Sequence, residues 1–422
     1  MSPKKTKNAI FETKNTEEHM GKRFIMKTIA AAGGKRTDIS IRRVGFFSVA
    51  ALCISIVPAL ADGDGRQRQD EAAIETRLRQ TVEYLASDEL QGRGPRTEGI
   101  DKAAEFIAKR MGRMGLRTDA LRGGPYQFFY TRLSDEADAG GVLELNPFSY
   151  FGDMIYQLFA RIGESSDNEE SSENRMAGDE RAVKLKNVVG VLEGQGPSAD
   201  ETIVIGAHYD HLGERRTDDG QAIVFHGAND NASGVATMLE TAGILAGREK
   251  KLPRRIVFVA FSGEELGMRG SFYYVRHPAV PLDKTVAMIN LDVVGRMENE
   301  TLVSMGAATS KMFAETIDEI VKRRGLKLDE MSWVYPVSDH TGFYARGIPA
   351  VFFMSGGGWG DMHTPGDTAD TLNYAGMRKV SQTAADLAVA IAEAGKPPEF
   401  SEEGVPRTLY RLALRAWVEM SN

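Results

Sequence analysis

From Asn187 onward short apolar runs alternate with helical patterns, and this alternation constrains the fold more than any other feature of the chain. The runs Asn187–Leu192, Thr202–Ala207, Arg255–Phe261, Val286–Val293 and Ile348–Phe353 are rich in Val, Ile and Phe. A strand that is apolar on both faces must be covered on both faces, which places it inside a parallel or mostly parallel sheet. Helical patterns lie between the runs, notably Ala232–Ala246 and Lys311–Arg324. The alternation therefore predicts an α/β fold: a mostly parallel, mixed central β-sheet sandwiched by helices. Upstream, residues 74–114 hold two more helical patterns. In the second, Ile100, Ala103, Ala104, Ile107 and Met111 make a single apolar stripe. A basic amphipathic pattern near the end predicts a C-terminal helix within residues 400–422.

Residues 1–61 read differently. Arg42 and Arg43 precede the apolar run Val44–Val57, which ends in Pro58-Ala59-Leu60-Ala61. A basic flank, a short apolar core and an Ala-x-Ala end predict a signal peptide cleaved after Ala61, hence a periplasmic or secreted protein with no stable membrane span. The paired arginines are a weaker pointer to twin-arginine export. Residues 62–422 are then expected to form a single domain. Residues 1–61 hold 11 Lys and Arg against 4 Asp and Glu, so cleavage leaves 41 basic and 55 acidic residues and a formal net charge of −14. That balance argues against nucleic acid as a partner. The single cysteine, Cys53, excludes an internal disulfide and a Cys-based zinc site. Within residues 133–184, the segment 164–180 carries seven acidic residues, which predicts a partly mobile insertion.

Chemistry-bearing residues recur where the apolar runs end. Gly206-Ala207-His208-Tyr209-Asp210-His211 follows the run from Thr202, and a carboxylate two residues after an imidazole can fix its tautomer. Asn229-Asp230-Asn231 precedes the helix at Ala232 and also satisfies an ordinary N-cap. Glu264-Glu265 ends the run from Arg255, where adjacent carboxylates call for a positive partner. Asp292 is embedded in an apolar run and asks for a cation. Ser338-Asp339-His340 opens a short helix before the last run. Open α/β sheets bind ligands beyond the carboxyl ends of their strands. Mixed His and carboxylate ligands without Cys suit zinc, with cobalt or manganese as substitutes.

The ordered set GAHYDHLG, GANDNASG, SGEELG, NLDVVG and SDHTGFY resembles the di-zinc aminopeptidases of metallopeptidase family 28. The upstream YLASDELQGR and the helix after it are similar to the N-terminal part of many bacterial members. The resemblance covers about residues 78–395 and implies an α/β/α zinc exopeptidase fold and two Zn²⁺ per chain. It implies that His208 and Asp292 bind one zinc, Glu265 and His340 the other, and that Asp230 bridges them. Glu264 is then the general base and Asp210 the residue that orients His208. His363 is expected at the substrate or behind the ligands, and His211 and His226 in structural or outer roles. Phe343 and Tyr344 are expected in the side-chain pocket, with Trp333, Tyr335, Phe352, Met354 and Trp359 as further candidates. Asn229 and Asn231 stand where some relatives carry Asp.

The activity so implied is removal of N-terminal residues from peptides with a free α-amino group. The resemblance also admits carboxypeptidases and glutaminyl cyclases, and a non-catalytic binding protein on the same fold is the reading from another class. No Arg cluster beside the motifs suggests a pocket for a substrate carboxylate. Neither a Gly-x-Ser-x-Gly elbow nor an HExxH motif occurs, which argues against a serine hydrolase and a zincin.

Overall fold

A computed structural model describes residues 68–121, 123–133, 179–217, 219–331, 333–358, 360–401 and 405–420. The expected signal peptide, most of the expected insertion and Trp359 lie outside the described residues. Those that are described belong to one compact unit, Gly65–Asn422.

The elements in chain order are α1 (68–85), α2 (Glu98–Arg113), β1 (Tyr126–Arg132), β2 (Ala182–Leu192), β3 (Thr202–His208), β4 (Glu214–Arg216) and β5 (Ala222–Val224). Then come α3 (Ser233–Ala246), β6 (Arg255–Phe261), α4 (Arg269–Arg276), β7 (Thr285–Leu291), β8 (Thr301–Met305) and α5 (Lys311–Arg323). The chain closes with β9 (Lys327–Met331), α6 (His340–Ala345), β10 (Ala350–Ser355), α7 (Tyr374–Glu393) and α8 (Val405–Met420). Eight strands form one sheet in the order β1-β2-β6-β3-β7-β10-β8-β9, while β4 and β5 pair separately. The central neighbours β6, β3, β7 and β10 are mutually parallel, and β1, β2 and β8 join antiparallel. This is the mixed, mostly parallel sheet of the α/β/α expectation.

Alternate residues of each central strand feed opposite cores, as the two-residue side-chain period requires. Ile203, Ile205, Ile256, Phe258 and Ala260 enter one core, closed by Ile107 of α2, Leu239 of α3, Ile317 of α5 and Val380 of α7. Val204, Val257, Val259 and Phe261 enter the other, closed by Phe272 of α4, Phe343 of α6 and Trp417 of α8. Each such side chain contributes about 1.5–3 kcal/mol by leaving water, and Phe258→Ala would forfeit about 3–5 kcal/mol.

Besides the short pair β4 and β5, three strands of the main sheet were not anticipated. β1, β8 and β9 lie at or near the sheet edges: β1 alternates between core and solvent, β9 is mostly exposed and charged, and β8 is a short run broken by Thr301 and Ser304. β2 begins at Ala182, inside the stretch read as insertion, because Thr131 and Arg132 of β1 pair with Val183 and Ala182. No helix among the described residues is long and apolar enough to cross a membrane. Since β3, β6, β7 and β10 are parallel, the loops that follow them open on one edge of the sheet, and that edge carries the site.

Candidate metal centre

His208 is the last residue of β3 and is almost fully buried. Its Nε2 lies 3.2 Å from Asp230 Oδ1 and 3.2 Å from Asp292 Oδ1, and Glu264 Oε2 stands 4.0 Å away. His363, in the loop after β10, makes the matching arrangement: its Nε2 is 3.0 Å from Asp230 Oδ2 and 3.2 Å from Glu265 Oε2. The two oxygens of Asp230 are thus divided between two His–carboxylate pairs. An imidazole nitrogen facing two carboxylate oxygens must carry a proton or a metal ion. His208, Asp230 and Glu265 also offer three ligand atoms within 4.8 Å of one another. The donor set is hard and borderline, N and O without S, which fits a divalent ion such as zinc.

The electrostatics follow from that crowding. Burial opposes charge on His208, yet Asp292, Glu264, Asp210 and Asp230 hold its pKa well above the ordinary value. His363 rises to about 12, through Glu265 first and Asp230 after it. Burial works against ionisation of Asp230 and Glu265, but Asp230 is held well below its usual range by His208 and His363, and Glu265 at about 2 by His363 and His211. Burial, with Glu265, Asp292 and Asp339 nearby, instead pushes the Glu264 carboxyl well up. Two adjacent carboxyls so divided are the pattern expected of a ligand beside a proton carrier.

Hydrogen bonds fix each of these groups. The Asp210 carboxylate accepts the Glu264 and Glu265 N–H groups at 3.2 and 3.3 Å, while His208 Nδ1 lies 3.3 Å from the Asp210 carbonyl and 3.7 Å from its Oδ1. Asp210 therefore orients the Glu pair more directly than it orients His208. The Asp367 carboxylate accepts the Asn229 N–H at 2.9 Å and the Asp230 N–H at 3.0 Å. Asn290 Nδ2 donates to Ser338 Oγ, which donates to Asp292 Oδ2, each at 2.7 Å. The chain of donors leaves Asp292 Oδ1 to face His208. Asn229 Oδ1 accepts the Gly295 N–H at 2.8 Å, and Asn231 Nδ2 donates to the Leu291 carbonyl at 3.0 Å. The second of these needs an amide rather than a carboxylate, a physical reason for Asn at 231. His211 Nδ1 lies 2.7 Å from Glu265 Oε1, and its ring packs where a Cβ on Gly227 would stand, at 2.5 Å. Gly227 has φ +56, so it is required twice over.

The structure places four residues of the expected set differently. His340 does not face Glu265: its Nε2 donates to the Tyr335 carbonyl at 3.0 Å, its ring lies 5.1 Å from that of Phe352, and its buried Nδ1 has no hydrogen-bond partner. Burial lowers its pKa to about 4. His363, expected at the substrate, occupies the place beside Glu265. Phe343 and Tyr344 are core residues rather than pocket residues, because α6 turns them toward Phe261, Tyr274 and Phe400. His208, Asp210, Asp230, Glu264, Glu265 and Asp292 are brought together. The signal for His363 was present in the sequence: the segment His363-Thr364-Pro365-Gly366-Asp367 sets a carboxylate close behind a histidine in the stretch after a strand, as His208-Tyr209-Asp210 does at a strand end.

The family model for peptidase family M28 matches residues 187–388. Among curated proteins, Aminopeptidase YwaD of Bacillus subtilis is 29% identical over 255 residues, 54% of this chain and 50% of that one. The match thus spans about half the length of that relative. The uncharacterized protein YfbL of Escherichia coli is 30% identical over 231 residues, 46% of this chain and 68% of that one. Among solved structures, BSAP, a zinc aminopeptidase from Bacillus subtilis, superimposes with a TM-score of 0.53 at 18% identity, over 78% of this chain and 98% of that one. That last likeness bears on the fold alone. The family model and the relatives place the chain in peptidase family M28.

Proposed function

We propose that this protein is an exported di-zinc aminopeptidase. The observation that carries the reading is Asp230, whose two carboxylate oxygens are shared between the His208–Asp292 and the Glu265–His363 pairs. Asp230 is then the bridging ligand, with His208 and Asp292 completing one site and Glu265 and His363 the other. Two zinc ions held there would polarise a scissile carbonyl and lower the pKa of water toward about 7. Glu264 supplies the base: it takes a proton from the attacking water and returns it to the leaving amine. Its raised pKa suits a group that must hold a proton between those steps, and the Asp210 carboxylate keeps its backbone in place. A free α-amino group on the substrate would settle against the anionic rim of the centre, which gives attack on the N-terminal residue. Export, with cleavage after Ala61, belongs to the same proposal, and N-terminal sequencing of the protein recovered outside the cytoplasm tests it.

The activity test measures metal content and hydrolysis of aminoacyl-p-nitroanilides, with N-blocked controls and Glu264→Gln alongside. Two zinc per chain, cleavage only at free N-termini, and a loss of about 10²–10⁴-fold in Glu264→Gln with zinc retained are expected. Release from the carboxyl end would make it a carboxypeptidase. One zinc and cyclisation of N-terminal glutamine would make it a cyclase, and two zinc without turnover a binding protein.

A further inference from the structure

Arg93 lies behind the cluster. It is fully buried, and every hydrogen bond of its guanidinium goes to a main-chain carbonyl. Nε donates to Tyr209 at 2.8 Å, Nη1 to His226 at 2.8 Å and to Leu85, and Nη2 to Gly227 at 2.8 Å. Tyr209 sits between His208 and Asp210, and His226-Gly227 opens the loop that ends at Asp230. One side chain therefore spans the backbone on both sides of the His208–Asp230 pair.

Arg254, also fully buried, shows how Arg93 differs. Arg254 also binds carbonyls, those of Ile391, Ala392 and Ala394, but it carries its own carboxylate partner, Glu201, at 2.6 Å. Arg93 hydrogen-bonds to no carboxylate. An ionised group buried without a counter-ion is strongly disfavoured, so the charges that sustain it act through space. They are Asp230, Asp367, Asp210 and Glu265, the carboxylates of the site and of its supports; burial still brings its pKa down to about 10.

The turn that delivers Arg93 is itself shaped for the purpose. Gln91, Gly92 and Arg93 all have left-handed backbone, with φ of 49°, 60° and 49°. For non-glycine residues that conformation costs about 1–3 kcal/mol each and persists only where surroundings enforce it. At Gly92 a Cβ would stand 2.3 Å from the Gly213 carbonyl oxygen and 2.4 Å from that of Phe225. The Gly213 N–H donates to the Gly92 carbonyl at 3.1 Å and the His211 N–H to the Arg93 carbonyl at 3.3 Å, so the turn is bonded to the loop after β3.

We propose that Arg93 is a positioning residue for the metal centre: it sets the spacing between His208 and Asp230 through the carbonyls of their loops, and supplies fixed positive charge behind the carboxylates. The inference rests on reading the cluster as a metal centre.

The test uses the full chain carrying Arg93→Ala or Arg93→Lys, stripped of metal and titrated with Co²⁺ while visible absorption reports ligand geometry. Far-UV circular dichroism and urea unfolding follow the fold, and each titration is repeated with millimolar guanidinium chloride or, as a control, potassium chloride. Cobalt affinity is expected to fall about 10–100-fold in Arg93→Ala, with an altered absorption band and unchanged secondary structure. Guanidinium, but not potassium, is expected to restore both, and Arg93→Lys to lie between. Unchanged affinity and spectrum in a folded Arg93→Ala overturn the assignment. So does failure of both variants to fold in the presence and absence of Co²⁺, which would make Arg93 a folding determinant. Wild-type protein that takes up no Co²⁺ overturns the metal-centre reading itself, an outcome separate from any difference between variants.

Discussion

His340 is expected to govern part of the acid sensitivity of the metal-free protein. The perturbation is His340→Gln, which keeps an N–H donor for the Tyr335 carbonyl and cannot titrate. In the native state the imidazole is fully buried beside Phe352, and its pKa falls from 6.5 to about 4 because burial disfavours its charged form. Its unfolded counterpart takes a proton near pH 6.5. Stability from the neutral imidazole is therefore complete above pH 6.5 and is lost as pH falls toward 4. At about 1.4 kcal/mol per pH unit, the loss is about 2 kcal/mol at pH 5 and about 3 kcal/mol at pH 4. The assay is urea unfolding of chelator-treated wild type and variant from pH 7.5 to 4.5. The variant is expected to gain about 2–3 kcal/mol on wild type across that range, whatever its offset at pH 7.5. Parallel curves would refute the reasoning, because they would mean that His340 titrates alike in both states.

Other consequences are as definite. Asp367→Ala removes the acceptor of two buried N–H groups, so metal-free stability should drop by about 2–6 kcal/mol in urea, and Asp367→Asn should lose less. Ser338→Ala removes the donor to Asp292 Oδ2; zinc affinity measured by competition should fall about 10–100-fold, with stability lowered by about 1.5–3 kcal/mol. Zinc added to stripped protein at 100 times its dissociation constant should raise the unfolding free energy by about 2.7 kcal/mol per site, read as a rise in Tm. A Tm independent of zinc would contradict it.

Much of this molecule was legible in its sequence, and the limits have physical causes. The central strands were readable because burial on both faces makes them continuous apolar runs. The edge strands β1 and β9 were not, since Phe128 and most of β9 face solvent and give no such run. Carboxylates set at strand ends, Glu264, Glu265 and Asp292, pointed to a cation because an apolar neighbourhood makes an isolated charge expensive. His340 was expected beside Glu265 in place of His363 because both histidines sit beside strand-end segments. Only the three-dimensional path shows α6 turning His340 toward Phe352 while the loop after β10 brings His363 to Glu265. Phe343 and Tyr344 failed for a related reason: an aromatic residue on a short helix near a site is as well placed for the core as for a pocket. Arg93 was hidden within a familiar-looking segment, because its partners are carbonyls, which any sequence supplies.

The central claim is that Asp230 bridges two metal sites, the second completed by His363 and not by His340. It is tested most directly by zinc content after equilibrium dialysis of wild type, His363→Ala and His340→Gln. The expected result is two zinc per chain in wild type and His340→Gln, and one in His363→Ala. Two zinc in His363→Ala with one in His340→Gln would contradict the account.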